Sequence, residues 1–205
     1  KPGTPPGSYL VTVDWLQPYT QQALLPEGGP CTIGPVAVPR LPPPSPDALS
    51  VGSGAGLALA YPLGLDFSDN ARLLGYNIEG RFEPGGVIHL ELFWLVKSPF
   101  ERKYTVFNHL IGPDGQLIAQ KDNEPVDGFY PTTEWAVGEV IRDQYDLPIP
   151  PTAPSGAYHI ETGLYDAASG QRLAVVNCTS PTCTNGDKAI LANITVAPQS
   201  TGVNG

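Results

Sequence analysis

Side chains able to do chemistry are few and scattered along this chain. The three histidines, His89, His109 and His159, stand far apart, and no His-x-His or HExxH spacing pairs them as a transition-metal site requires. Alternation puts His89 and His159 on the solvent side of their strands. His109, in VFNHLIG, shares parity with Phe107 and Ile111, so it needs a partner, and Asp122 or Asp143 could serve. There is no G-x-S-x-G, phosphate loop or Rossmann fingerprint. Asp143 and Asp146 flank an aromatic, which leaves a carboxylate-pair glycosidase as a formal option, but an enzyme is not expected. Two loops gather oxygen ligands of the kind hard cations need: LDFSDN, with Asp66 and Asp69, and KDNEPVDG, with Asp122, Glu124 and Asp127. Acids in turns are ordinarily just solvated, so no cofactor is expected and calcium is the one metal candidate.

Three further groups have binding or covalent potential. Phe129, Tyr130 and Trp135, in GFYPTTEW, would stack on sugar rings if exposed, and the favoured alternative is that Trp135 plugs the core beneath this loop. Cys178 and Cys183, in NCTSPTC, could close a small disulfide loop suited to an oxidising compartment, leaving Cys31 odd. Asn177 and Asn193 match the N-x-S/T glycosylation pattern.

Composition excludes several classes. The net charge is −9, with no basic patch to neutralise phosphates, which speaks against nucleic acid and anionic membrane surfaces. The longest uncharged run, Ala48–Leu65, holds several glycines and Pro62 and is too weakly apolar to span a bilayer. The chain has no methionine and begins KPGTPP, the start expected of a processed or truncated polypeptide.

The elements that must position these residues are strands. Short alternating runs are separated by turn signals such as Pro84-Gly85-Gly86, Asp114-Gly115 and Ser169-Gly170, and no 3.6-residue period competes. Strands are expected at 57–61, 72–78, 87–96, 104–111, 116–121, 140–147, 157–165, 173–176 and 189–196. In 87–96, Ile88, Leu90, Leu92 and Trp94 form the core face, with His89, Glu91 and Phe93 opposite. The fold class is all-β: an immunoglobulin-like antiparallel β-sandwich preceded by a partial β-repeat.

That partial repeat shows in GSYLVTVDWLQPYTQQALLP, a weaker copy of GAYHIETGLYDAASGQRLAVV. Tyr9 maps to Tyr158 and Gln22 to Gln171 at the same offset of 149 residues. The organisation expected is a partial repeat at 1–38, a Pro/Gly/Ser-rich linker at 39–56, a complete sandwich at 57–198 and a tail at 199–205.

The runs RLLGYNIEG, PGGVIHLELFWLV, KYTVFNHLIGPDGQLIAQKDNEP, GFYPTTEWAVGEVIRDQYDLPIP and PSGAYHIETGLYDAASGQRLAV resemble a β-sandwich module of bacterial extracytoplasmic proteins. Such modules are often in tandem or behind multi-pass membrane regions related to glycosyltransferases. The resemblance covers about residues 71–196. The YPTTEW–VGE segment and the GLYD–SGQRL hairpin are its most specific parts, and the paired cysteines are outside its pattern. It implies a fold and an extracellular or cell-surface location, and carries no catalytic residues.

The expected function is a non-catalytic extracytoplasmic structural or adhesive protein. Tyr9, Val11, Val13 and Trp15 would be buried against a sheet: that of an upstream sandwich if the chain is a fragment, or otherwise that of its own domain or of a neighbour, by strand donation that can build filaments through self-association or neighbouring sandwich domains. The alternative is a carbohydrate-binding accessory module of a cell-envelope glycosyltransferase-like protein.

Overall fold

The structure is a computed structural model that describes residues 5–13, 15–16, 23–24, 31–39, 59–176, 183–184 and 186–198. Most of the linker and all of the tail fall outside the described residues. Two compact units divide the chain, Thr4–Arg40 and a larger one of Leu41–Gly205 with Lys1–Gly3. No helix among the described residues is long and apolar enough to cross a membrane.

The smaller unit holds β1 (Gly7–Val13), β2 (Trp15–Leu16), β3 (Ala23–Leu24) and β4 (Cys31–Val38). β1 pairs antiparallel with β4, and β2 with β3.

The larger unit is the expected all-β sandwich. Its strands are β5 (Tyr61–Phe67), β6 (Ala71–Gly80), β7 (Val87–Val96), β8 (Thr105–Ile111), β9 (Leu117–Gln120), β10 (Val140–Pro148), β11 (Gly156–Tyr165), β12 (Val175–Val176), β13 (Cys183–Thr184) and β14 (Lys188–Val196). One sheet runs β10-β7-β6-β5-β12 and the other β13-β14-β11-β8-β9, all antiparallel. Period-two alternation turns Ile88, Leu90, Leu92 and Trp94 of β7 inward, against Tyr158, Ile160 and Leu164 of β11. The Tyr76 hydroxyl crosses between the sheets and donates to the Leu191 carbonyl at 2.7 Å. Burial of that hydroxyl pushes its pKa up to about 12.

Two expectations need correction. The first strand is Tyr61–Phe67, not 57–61. Pro62 is accommodated within this strand because β12 pairs only with Asp66 and Phe67, so the missing Pro62 N–H costs no ladder bond on that edge. Phe93, placed on the solvent face by alternation, is buried in a second, outer cluster with Leu59, Leu74 and Val140. A bulge causes this. Leu73 pairs with Trp94 and Gly75 with Phe93, so Leu74 is an extra residue thrown to the outer face.

Candidate binding groove

The GLYDAASGQRL hairpin leaves β11 through a tight turn organised by Asp166. Its carboxylate accepts from the Ala168 N–H and the Ser169 hydroxyl, both at 3.0 Å. Gly170 sits at φ +73 and donates to the Asp166 carbonyl at 2.7 Å, a conformation for which glycine is suited. The turn delivers Gln171 and Arg172 to the end of the sandwich. Arg172 is steadied there, its guanidinium 4.2 Å from the Phe107 ring centroid and 3.4 Å from Asp187. Phe107 in turn requires Gly163 beneath it, because a Cβ at that position would stand 2.6 Å from the ring.

The YPTTEW segment builds the opposite wall indirectly. The buried Thr132 hydroxyl donates to the Arg102 carbonyl and accepts from the Tyr104 N–H, both at 3.0 Å. Trp135 packs edge-on against Phe100 at 5.4 Å, and Phe100 against Tyr104 at 5.6 Å. The Trp135 indole donates to the Tyr130 carbonyl, and the Tyr130 hydroxyl donates to Glu139 at 2.9 Å. From below, the Asn70 carbonyl accepts from the Lys97 N–H at 2.8 Å, and its side-chain amide donates to the Pro99 carbonyl at 3.1 Å.

Arg102 and Asp166 consequently meet at 2.9 Å across a groove of about 640 Å³ lined chiefly by Ser68, Asn70, Arg102, Tyr104, Asp166 and Gln171. Arg102, with the local N–H and hydroxyl donors, holds the Asp166 carboxyl below its usual range. The lining offers amides, hydroxyls and guanidinium groups on loops anchored to both sheets. That set can hydrogen-bond a hydroxyl-rich ligand.

The residues singled out from sequence are distributed differently. Trp135 is buried, as the plug reading expects, and Tyr130 is buried beside it, so the possible glycan-binding role of these two rings is corrected, while Phe129 is 71% exposed. The calcium candidates do not converge, and no group of three His, Cys, Asp or Glu among the described residues could hold a metal. Asp66 accepts from Arg72 at 2.7 Å and lies 3.1 Å from Lys97, and Arg72 first among these holds its pKa down. In the other loop, Asp122, Glu124 and Asp127 turn to His109, Lys103 and Asn123 respectively. Asp69 contributes its carbonyl to the Ser98 hydroxyl.

His109 finds Asp122 as expected, at 3.4 Å, although neither facing atom completes a hydrogen bond. His89 pairs with Asp146 on the exposed outer face, and His159 with Glu161, which Lys188 also contacts at 2.8 Å. Asp143 turns away from histidine altogether. It is fully buried, accepting from the Tyr145 hydroxyl at 2.6 Å and the Val126 N–H at 2.8 Å. Burial pushes its carboxyl up to about 6 despite those donors. Val126 and Asp127 both hold positive φ beside it, a strained conformation that the bond from Val126 helps fix.

Val11 is 43% exposed, which corrects the expectation that it is buried, and Tyr9 is half-buried. The side chains of Val13, Trp15, Cys31 and Cys183 lie outside the described residues, as do Cys178 and Asn177, so the disulfide and one glycosylation candidate lie there too. Asn193 is exposed on β14.

No family model and no curated protein matches the chain. Among solved structures, the C-terminal domain of Wzt is similar, with a TM-score of 0.43 and 12% identity over 70% of this chain and 83% of that one. A likeness this loose carries no argument about function.

Sequence reasoning missed the groove because its walls are distant in the chain. The hairpin stood out, but Arg102 and Asn70 carry no motif, and only the pairing of β5 with β6 in one sheet and of β8 with β11 in the other brings them beside Asp166.

Proposed function

We propose that this chain is a non-catalytic, extracytoplasmic adhesive module that holds a saccharide chain in the groove at the end of its sandwich. The observation that carries the reading is the groove itself, about 640 Å³ and lined by amide, hydroxyl and guanidinium groups on loops tied to both sheets. Its two most distinctive sequence segments, YPTTEW and GLYD–SGQRL, cooperate in building it. The resemblance to cell-envelope modules supports the location.

Calorimetric titration with a panel of bacterial polysaccharides tests this. Arg102→Ala and Gln171→Ala should each weaken binding about tenfold or more, near 1.4 kcal/mol, with the fold unchanged. Absence of binding across the panel, or equal binding by both variants, would overturn it.

A further inference from the structure

The two copies of the repeat agree to the level of single backbone pairs. In the smaller unit, Gly7 pairs with Val38, Ser8 with Ala37, Tyr9 with Val36, Thr12 with Thr32 and Val13 with Cys31. In the sandwich, Gly156 pairs with Val196, Ala157 with Thr195, Tyr158 with Ile194, Glu161 with Ile190 and Thr162 with Ala189. These five pairs recur at constant offsets, and the register shifts, between Tyr9 and Val11 in one ladder and between His159 and Glu161 in the other, fall within one residue of each other. The hairpins match too: Leu16 pairs with Ala23 where Tyr165 bridges Arg172. Even a side-chain bond repeats. Tyr9 donates to the Pro5 carbonyl and Tyr158 to the Pro154 carbonyl, both at 2.6 Å.

What surrounds the two ladders differs. Along its other edge β11 pairs with β8, from His159↔Ile111 to Tyr165↔Thr105. Its inner face is sealed, with Tyr158 at 1% and Ile160 at 0% exposure. Among the described residues β1 pairs only with β4, and Val11 and Val36, which stand where Ile160 and Ile194 stand, are 43% and 42% exposed. A two-stranded ribbon is marginal by itself in water, and an apolar inner face repeated in register with a core face is built to be covered.

We infer that Thr4–Arg40 is the closing half of a second sandwich, and that its free edge and inner face take a strand set of the β5–β10 kind. A second copy of this chain does not fit the vacancy. Its β8 is already paired on both edges, by β9 and β11, and the inner face of its first sheet already covers β11. The route into β1 points to the source. Pro2 and Pro5 occupy the places of Pro151 and Pro154, in the connection by which β10 leads into β11. The occupant therefore enters from the N-terminal side of Gly7 in the same polypeptide, as β10 does for β11. The inference is independent of the groove.

Hydrogen exchange on the 205-residue chain, and on the same chain with its own residues 57–149 joined ahead of Lys1, tests the inference. In the unmodified chain the β1 amides on the free edge should exchange at nearly unprotected rates, while those of β11 are slow. In the extended chain the β1 amides should gain about 100-fold protection or more, and Val11→Asp should abolish that gain. If the first extended chain does not fold, Val11→Ile with Val36→Ile restores the residues of the complete copy. Failure to gain protection in that variant too would overturn the inference. So would a dimer of the unmodified chain with slow β1 amides, since the occupant would then be a second copy.

Discussion

β1–β4 and β11–β14 carry one pattern of backbone pairing in two environments. Between β11 and β14 the ladder is the middle of a core, and Tyr158 and Ile160 are sealed. Between β1 and β4 the ladder, the register shift and the tyrosine bond are retained, but Val11 and Val36 face solvent. Strand pairing is thus a local property of the segment, set by alternation and turn chemistry. Burial is a property of the whole sandwich, because it needs a second sheet on the inner face and a neighbour along the free edge.

The comparison breaks most visibly at its central position. Ile160→Asp would bury an unpaired carboxylate among apolar side chains and should abolish cooperative folding. Val11→Asp, at the equivalent place in the ribbon, should leave the sandwich transition within about 0.5 kcal/mol by urea denaturation. An equal loss from both would mean the ribbon already has a core of its own.

The next contrast concerns the layer that the ribbon lacks. Trp135→Ala should cost about 3–5 kcal/mol, as the wedge behind Phe100 is lost. It should also loosen the Arg102 wall, seen as faster amide exchange at Tyr104. Tyr9→Ala should cost the sandwich about 0.5 kcal/mol or less.

Asp143 sharpens the comparison through pH, since it sits on β10, a strand with no counterpart in the ribbon's described residues. Its folded pKa is raised from 3.8 to about 6. Below the unfolded value both states are protonated, and the full contribution of the neutral side chain is present. As pH rises through the window from about 4 to about 6 the unfolded chain releases its proton first. Stability from this group is therefore lost with rising pH, by about 2–3 kcal/mol in total. Urea titrations at several pH values should show that slope in the native chain and not in Asp143→Asn. Asp66 and Asp166, held low by Arg72 and Arg102, act with the opposite sign. Their stabilisation is present above their unfolded pKa values and fades as pH falls through the folded ones, so the difference between native and variant chains isolates Asp143.

The smallest effect on stability belongs to Arg102, whose pair with Asp166 is exposed and screened by solvent. Thermal unfolding of Arg102→Ala should overlay that of the native chain even where ligand binding is lost.

Much of the fold was legible in the residues. The inward set of β7 follows from alternation alone, and the Asp114-Gly115 turn between β8 and β9 follows from its chemistry. The bulge at Leu74 was not legible, because an extra residue in β6 changes parity without any marker in the sequence. For the candidate site the balance is reversed. The hairpin around Asp166 announces its own turn, but its partners Arg102 and Asn70 are ordinary loop residues until the sheets place them. Tyr130 and Trp135 show the same limit. Their side chains suit either a sugar platform or a core plug, and the space beneath the loop made them plugs.

The amino-acid order by itself determined the strands, their alternation and the repetition of one hairpin within the chain, since each rests on contacts between residues near in sequence. Tertiary structure alone decided which apolar faces are covered, which carboxylate is forced toward neutrality and which loops meet in a groove. Those depend on distances across two sheets, and strands distant in the chain become neighbours only when the sandwich closes.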